Sequence, residues 1–234
     1  MRKNEETGLD FVVDKLTNSI ENVITGDSFA TEISILTTND LKTINKKNGW
    51  LFNWRIEYMN PAKDVYKLTI VNNPTVIQGL VSLEVKEDHV FMHLVENASF
   101  NKGKTKVYAG VAGNLVAFAC KLSFQRGHEG NVSFISKTQL IHNYEKSLGA
   151  YHFGGRLMVI ETKTALKLMI NIFKTCKMKT KKLELDVDFI GGQDALASEE
   201  EKALSEFFKK QKSLPKKGKT ISKSRTVRRE KVTT

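Results

Sequence analysis

The fold is decided by residues 89–135, HVFMHLVENASFNKGKTKVYAGVAGNLVAFACKLSFQRGHEGNVSFI. This stretch opens with an apolar run of strand type, His89–Glu96, and continues through a polar, basic loop, Asn101–Lys106. Apolar residues then recur with helical spacing from Gly110 to about Arg126, and Val132–Ile135 is a second short apolar run. This order, a strand followed by a glycine-containing loop, a helix and a second strand, predicts a crossover unit that joins two parallel strands.

Further runs of strand type precede this unit: Trp50–Tyr58, Val65–Val71 and Val76–Val85. Turn signals such as Asn60-Pro61 and Asn72-Asn73-Pro74 separate them. Strands with such short connections cannot be parallel neighbours, so we predict an antiparallel meander that ends with the first strand of the crossover. The predicted fold class is therefore α/β (α+β), with a mixed, mostly antiparallel central sheet flanked by helices.

The flanking segments carry weaker patterns. On the N-terminal side we predict a helix over Gly8–Thr25, a strand over Thr31–Leu36 and a short helix that stops at Asn48-Gly49. On the C-terminal side we predict helices over Thr138–Leu148, Thr164–Phe173 and Ser198–Lys210, and a strand over Leu157–Ile160. We predict four parts. Residues 1–45 form an N-terminal segment that completes the fold, and residues 46–175 form the core. Residues 176–213 form a linker with a helix, and residues 214–234 form a disordered basic tail.

Charge is concentrated at the C-terminal end of the chain. Eleven of the 37 basic residues lie between Phe207 and Thr234, where Glu230 is the single acid, so most of the net charge of +11 belongs to this end. No apolar run reaches the length of about 18 residues needed to span a membrane, and the N-terminus lacks the apolar stretch of a secretory signal. Two cysteines cannot form a disulfide framework. These features favour the cytoplasm and exclude a membrane partner.

Gly110-Val111-Ala112-Gly113 lies where the central helix is predicted to begin. Small residues let a ligand approach the backbone, and the first amides of a helix point outward at its positive end. Together they suit a phosphate or pyrophosphate group. The alternative is an ordinary strand-to-helix turn that uses glycine for its geometry.

A third phrase, Asn143–Ala150 (NYEKSLGA), follows the strand ending in Glu96 and the glycine loop. This order resembles the GNAT superfamily of acyl-CoA N-acetyltransferases from about Asp64 to Glu161, and leaves out both ends of the chain. In that family a loop Q/R-x-x-G-x-G/A holds the pyrophosphate of acetyl-CoA. A tyrosine at the position of Tyr144 often lies near the thioester sulfur.

The resemblance implies a GNAT-like fold, acetyl-CoA as cosubstrate and an amine as acceptor. It implies cofactor contacts at Val95, Gly110, Val111, Ala112, Gly113, Asn114, Leu115 and Lys137. Two positions depart from the family pattern, because Val107 stands at the Q/R position and Lys137 stands where many members have an asparagine. Nearby lysines, at positions 102, 104 and 106, could supply positive charge instead.

The resemblance also assigns two catalytic roles. Tyr144 is the expected acid that protonates the departing thiolate, and Glu96 is the expected base for the attacking amine. The alternatives are an aromatic side chain packed at a helix end and an exposed carboxylate at a strand end. His93 would point to the face opposite Glu96 if the strand is regular, as a core residue or as a second base.

Other chemistry-bearing residues have two readings each. Trp50 and Trp54 either line a substrate cleft or pack in the core, and packing is preferred. His152 and Arg156 are candidate acceptor contacts, because they follow the signature tyrosine closely. Cys120, on the apolar side of the central helix, is interpreted as a core residue.

The basic end gives the remaining expectations about partners. Residues 209–231 could bind RNA, tRNA or DNA by releasing counterions, or serve only as a solubilising extension. An acetyltransferase acting on aminoacyl-tRNA would fit the first reading, and a homodimer is also considered. A second class of function is a catalytically inactive GNAT-fold scaffold that contacts nucleic acid or a protein partner through this end.

Overall fold

The computed structural model describes residues 19–137, 140–174, 189–191 and 198–213. The strands are β1 Ser19–Asn22, β2 Ser28–Ile35, β3 Asp64–Ile70, β4 Asn73–Val85, β5 Val90–Asn97, β6 Tyr108–Ala109, β7 Val132–Ile135, β8 Tyr151–Gly154, β9 Leu157–Ile160 and β10 Phe189–Gly191. The α-helices are α1 Trp54–Met59, α2 Val111–Gln125, α3 Ile141–Leu148, α4 Thr162–Lys174 and α5 Ser198–Ser213. Short 3-10 turns lie at Asp40–Lys42, Lys46–Asn48 and Ser99–Asn101.

The strands form one sheet in the order β6-β1-β2-β3-β4-β5-β7-β9-β8, and β10 pairs with β5 off this path. Every pairing among the described strands is antiparallel except β5 with β7, which is parallel. Helix α2 connects these two strands, as a parallel neighbour requires. The predicted crossover and the predicted mixed, mostly antiparallel sheet flanked by helices are confirmed.

Helices cover both faces of the sheet. On one face α2 buries Leu115 and Val116 in a cluster with Val81, Met92 and Phe134. Separate clusters place Trp54 of α1 with Leu80 and Leu94, and Leu204 and Phe208 of α5 with Phe91, Leu157 and Val159. No helix within the described residues is long and apolar enough to cross a membrane.

Strand β5 is irregular near its middle. Ser82 of β4 pairs with Leu94, while the next β4 residue, Leu83, pairs with Met92, so His93 has no partner of its own in β4. An extra residue of this kind is a β-bulge, which breaks the alternation of side chains between the two faces. The premise that placed His93 and Glu96 on opposite faces is therefore wrong.

Three sequence predictions are corrected by the structure. In place of the short helix predicted before Asn48-Gly49, the chain forms two separate 3-10 turns, Asp40–Lys42 and Lys46–Asn48. Trp50–Tyr58 is not a strand, because α1 begins at Trp54 and the Asn53 side chain accepts a hydrogen bond from the N–H of Arg55. The helix predicted over Gly8–Thr25 is wrong at Ser19–Asn22, which form β1; residues 8–18 lie outside the described residues. Strand β8 was not predicted.

The remaining elements lie close to their predicted positions. Residues 31–35 fall within β2, α3 covers the described part of its predicted helix, and α4 and α5 extend their predictions by a few residues. The predicted basic tail, 214–234, lies outside the described residues. The domain boundaries stay a prediction.

Candidate cofactor site

The start of α2 has the geometry of an anion site. Gly110 is the N-cap and has the left-handed angle φ 89°, which a residue with a side chain rarely adopts. A Cβ added at Gly113 would meet nothing within 4 Å, so this position in the first turn faces open space. Helix amides without intrahelical partners and the positive dipole end favour an anion here.

Asn114 fixes this turn to the rest of the fold. Its side-chain amide donates to the carbonyl oxygen of Gly110 at 2.8 Å and to that of Ser19 at 2.9 Å. Strand β1, which contains Ser19, also pairs with β6 immediately before the turn. The buried Asn114 side chain therefore positions the loop.

Val111, Ala112 and Leu115 are buried in the main core cluster. Their side chains contribute packing, so contact with a ligand at this turn would come through the backbone. Val107, at the family's Q/R position, is held by its own backbone: its N–H donates to Phe100 and its carbonyl accepts from Val23. Lys104 is exposed in the loop that precedes it.

Strands β5 and β7 diverge beside this turn. They pair in parallel over Val90–Met92 and Val132–Phe134. Strand β7 ends at Ile135 and pairs with β9 on its other edge, whereas β5 continues to Asn97, and its edge from Leu94 to Glu96 is paired with β10. The opening between two parallel strands is thus filled by a strand from the C-terminal part of the chain.

Strand β10 fits this opening closely. Ile190 pairs with Val95, is fully buried, and belongs to the same core cluster as Val111 and Tyr144. Gly191 has a left-handed φ of 83°, and a Cβ there would overlap the carbonyl oxygen of His93. The chain could not approach β5 in this way with any other residue at position 191.

Tyr144 lies on α3 with its side chain buried in the core cluster. Its ring packs edge to face on Phe134 of β7, with the ring centroids 5.3 Å apart. Burial raises the pKa of the Tyr144 hydroxyl above its ordinary value. The hydroxyl is therefore protonated at neutral pH, and its role as an acid stays a prediction.

Glu96 is fully buried, not exposed at a strand end. Its carboxylate accepts hydrogen bonds from the N–H groups of Leu51 at 2.6 Å and Phe52 at 3.5 Å. It also accepts from Nε1 of Trp54 and from Nζ of Lys102, each at 2.7 Å. To act as a base it would first have to release one of these donors. The base role stays a prediction, while the contacts give Glu96 a clear part in holding α1 and its preceding loop against β5.

The other candidates have their own contacts or are exposed to solvent. His93 bonds Glu84 through Nε2 at 2.7 Å, and desolvation lowers its pKa despite that carboxylate. Lys137 is exposed just after β7. His152 contacts the carbonyl of Gly155 at 3.1 Å, and Arg156 is exposed in the turn between β8 and β9.

Two packing interpretations agree with the structure. Trp50 and Trp54 are buried and meet edge to face with ring centroids 6.4 Å apart. Cys120 is fully buried, and burial raises the pKa of its thiol to about 12, which leaves it unreactive at neutral pH. The described residues contain no cluster of side chains suited to hold a metal ion.

Sequence reasoning missed β10 as part of the site. A run of three residues is too short for a period to be recognised, and its partner strand lies far away in sequence. The one local signal is Gly191, since a glycine in an apolar run often marks close approach of two backbones.

Acetyl-CoA fits this arrangement in part. The first turn of α2 offers a left-handed glycine, an open Gly113 and outward amides for a pyrophosphate. The β5 edge between that turn and Tyr144 is paired with β10. The first turn of α2 therefore suits the phosphate end of the cofactor, and the β5 edge that an acyl arm would follow is occupied by β10 in this conformation.

No family model and no curated protein matches the chain. Solved structures do match. The structure of AtaTR bound with AcCoA has a TM-score of 0.43 at 20% identity, covering 59% of this chain and 97% of the other. Spermidine N-acetyltransferase from Vibrio cholerae in complex with CoA and spermine has a TM-score of 0.43 at 18% identity, covering 58% and 98%. The ribosomal-protein-S18-alanine N-acetyltransferase from Escherichia coli has a TM-score of 0.39 at 15% identity, covering 55% and 90%. At these values the function has to be argued from the site itself.

Proposed function

We propose that this protein is an acyl-CoA N-acetyltransferase that moves an acetyl group from acetyl-CoA to an amine. The observation that carries the proposal is the joint placement of the Gly110 turn and the divergence of β5 from β7. The turn offers an anion site, and beyond Met92 the edge of β5 is no longer paired with β7; β10 occupies it in this conformation. The phrase around Tyr144, which resembles the GNAT signature, lies on the helix that follows β7.

The reaction would be direct attack of a neutral amine on the thioester that acetyl-CoA supplies. The chain would bind the phosphates at the first turn of α2 and orient the acyl arm along β5. Tyr144, kept protonated by burial, would donate its hydroxyl proton to the departing thiolate. The base that takes the proton from the amine is left open, because four hydrogen-bond donors already engage the carboxylate of Glu96.

Calorimetric titration with acetyl-CoA tests the cofactor site directly. Gly113→Glu places a carboxylate in open space at the helix start, where it would repel a pyrophosphate without disturbing the fold. Gly113→Gln has nearly the same size and no charge. We expect the glutamate variant to bind at least about tenfold more weakly than the glutamine variant, which is about 1.4 kcal/mol. Equal affinities for the two variants would place the phosphates elsewhere.

A second candidate is an inactive scaffold with the same fold. Three observations favour it: the carboxylate of Glu96 is engaged, Val107 stands at the polar position, and β10 fills the opening. Release of free thiol from acetyl-CoA separates the two candidates. Turnover with any of a panel of polyamines, peptide amines and aminoacyl-tRNAs supports the enzyme, and binding without turnover across the panel supports the scaffold.

A further inference from the structure

We propose that β10 is a built-in competitor of acetyl-CoA, so that the cofactor gains the β5 edge only when residues 189–191 leave it. This inference rests on the proposed function and adds a mode of regulation to the same site. The β5 edge expected to bind the arm of acetyl-CoA is paired with β10 in the structure.

Strand β10 occupies the same edge of β5 that the cofactor is expected to use. Ile190 pairs with Val95, a residue expected to contact the cofactor, and Gly191 pairs with Leu94. Ile190 belongs to the same buried cluster as Val111 at the start of α2 and Tyr144 on α3. Strand β10 is therefore part of the same buried core as the residues expected at the two ends of the cofactor.

Strand β10 and the arm of acetyl-CoA can make the same kind of hydrogen bonds to β5. A strand edge offers unpaired N–H and C=O groups to any extended chain that carries amides. The arm of acetyl-CoA is such a chain, since it is extended and carries amide groups. Buried backbone groups must be paired, and each can be satisfied by one occupant at a time. Strand β10 satisfies this edge while the cofactor is absent.

Strand β10 is also built to be released. It is three residues long, whereas β4 on the other side of β5 has thirteen residues. Its close approach depends on Gly191, which has both the left-handed φ and the missing Cβ that the contact requires. Among the described residues it pairs with β5 at three positions, so a ligand that binds the same edge more tightly can displace it.

Opening the edge in the full-length chain is the first test. Gly191→Val should expel β10, because its side chain would overlap the His93 carbonyl. Gly26→Val is the matched control, since Gly26 has a similar φ of 74° with nothing near its added Cβ. We expect faster hydrogen exchange at the Leu94–Glu96 amides that face β10, and acetyl-CoA affinity at least about tenfold above that of the native protein, in Gly191→Val alone.

Closing the edge is the second test, and it does not depend on how Gly191→Val folds. Paired strand residues have Cα atoms about 4.5–5.5 Å apart, within the range that a disulfide bridges. We therefore expect Val95→Cys combined with Ile190→Cys to lock β10 in place when oxidised. Acetyl-CoA binding should fall at least about tenfold in the oxidised protein and return with dithiothreitol. The Ile190→Cys single variant should not respond to the reductant.

The outcomes separate the two proposals. Equal acetyl-CoA affinity in the native, opened and locked proteins overturns the competition and leaves the acetyltransferase proposal standing. Exchange at Leu94–Glu96 that stays slow in a folded Gly191→Val variant also overturns it. An opened edge, shown by exchange, that binds no acetyl-CoA overturns the proposed function and the competition together.

Discussion

Glu96 shows how one side chain can look catalytic in sequence and structural in three dimensions. Its two oxygens meet four donors: the backbone N–H groups of Leu51 and Phe52, Nε1 of Trp54 and Nζ of Lys102. An ionised carboxylate only accepts hydrogen bonds and has about four lone-pair sites, so it can satisfy all four donors. These contacts connect β5 with residues more than forty positions earlier in the chain.

Glu96→Gln should therefore destabilise the protein. A glutamine turns one acceptor into a donor that must face another donor, and it leaves the charge of Lys102 uncompensated. We expect a loss of about 3 kcal/mol in the free energy of unfolding, measured by urea denaturation. Glu87→Gln is the control, because Glu87 is 86% exposed, and it should change stability little. A stable Glu96→Gln protein that has lost only turnover would instead favour the base role.

Tyr144→Phe tests the other assigned role. Phenylalanine keeps the packing on Phe134, so we expect a stability loss of only about 1 kcal/mol. If the hydroxyl protonates the thiolate, kcat should fall about 100-fold. Because burial raises the pKa of Tyr144, native turnover should show no loss from its ionisation below about pH 10.

Tyr151→Phe supplies the control for the tyrosine test, since Tyr151 is exposed on β8. Its kcat should equal that of the native protein. Unchanged turnover in Tyr144→Phe would assign the Tyr144 ring to packing alone and leave the thiolate to be protonated by water.

At the scale of the elements, α5 is held to the β4–β5 hairpin by a buried carboxylate. Asp88 accepts hydrogen bonds from Oγ of Ser205 at 2.7 Å and contacts Nδ1 of His89 at 2.6 Å. Burial by itself would raise the pKa of Asp88, but the hydrogen bonds from His89 and Ser205 outweigh it and hold the pKa below its ordinary value. The His89 ring stacks on Phe208 of α5 with ring centroids 4.9 Å apart.

The docking of α5 should weaken in acid. A carboxyl group with a lowered folded pKa stabilises the fold above its unfolded pKa of about 3.9, and this stability is lost as the pH falls through the folded value. We expect the hydrogen-exchange protection factors of α5 to fall below about pH 4. In Asp88→Asn the protection should be lower at neutral pH and less dependent on acid.

The control here is Glu32→Gln, because Glu32 is exposed on β2 and its replacement leaves intact the ion pair between Glu87 and Lys209 of α5. Protection factors in α5 that do not change between neutral pH and pH 3, or that respond equally in both variants, would assign the docking to the apolar contacts of Leu204 and Phe208 alone.

The local sequence pattern was sufficient to predict those elements in which apolar side chains recur over several helical turns or along a whole strand. Helix α2 and strands β7 and β9 lie at their predicted places, because their apolar periods are set by one buried face. Trp50 and Trp54 misled the prediction, since residues four apart share a face in a helix and also in a strand. Asn53, which caps α1, was the better signal.

Features set by distant partners could not be predicted in this way. The bulge at His93, the donors to Glu96 and the pairing of β10 with β5 all depend on residues brought together by the fold. The candidate site was therefore predicted at its start, the Gly110 turn, and not at the edge where β10 lies. Residue type indicates what a side chain can bind, but only the tertiary structure decides what it does bind.

At the scale of the whole molecule, segments from both ends of the described chain hold the candidate site. Strand β1 supports the phosphate turn through Ser19 and the pairing with β6, and β10 lies on the edge of β5. The central crossover thus depends on segments outside the region that resembles the family. If both proposals hold, destabilising β1 should lower the affinity for acetyl-CoA, because β1 supports the Gly110 turn. Destabilising β10 should raise that affinity, because β10 competes for the edge of β5.

The basic C-terminal end gives the last prediction, which concerns binding to RNA. If residues 209–231 bind it by charge, affinity should depend on the number of positive groups, with each phosphate contact adding about −0.7 to the slope of log K against log salt for a single strand. Replacing four basic residues by glutamine should make the slope shallower by about 3. The four are Arg225, Arg228, Arg229 and Lys231.

A control variant removes four positive charges from the folded part of the chain instead. The control replaces four exposed lysines by glutamine: Lys46, Lys47, Lys163 and Lys167. Fluorescence anisotropy with a single-stranded RNA at several salt concentrations gives both slopes. Because both sets lower the net charge of +11 equally, a shallower slope in the C-terminal set alone shows local contact with phosphates. Equal slopes for both sets would mean that net charge, and not this segment, governs the binding.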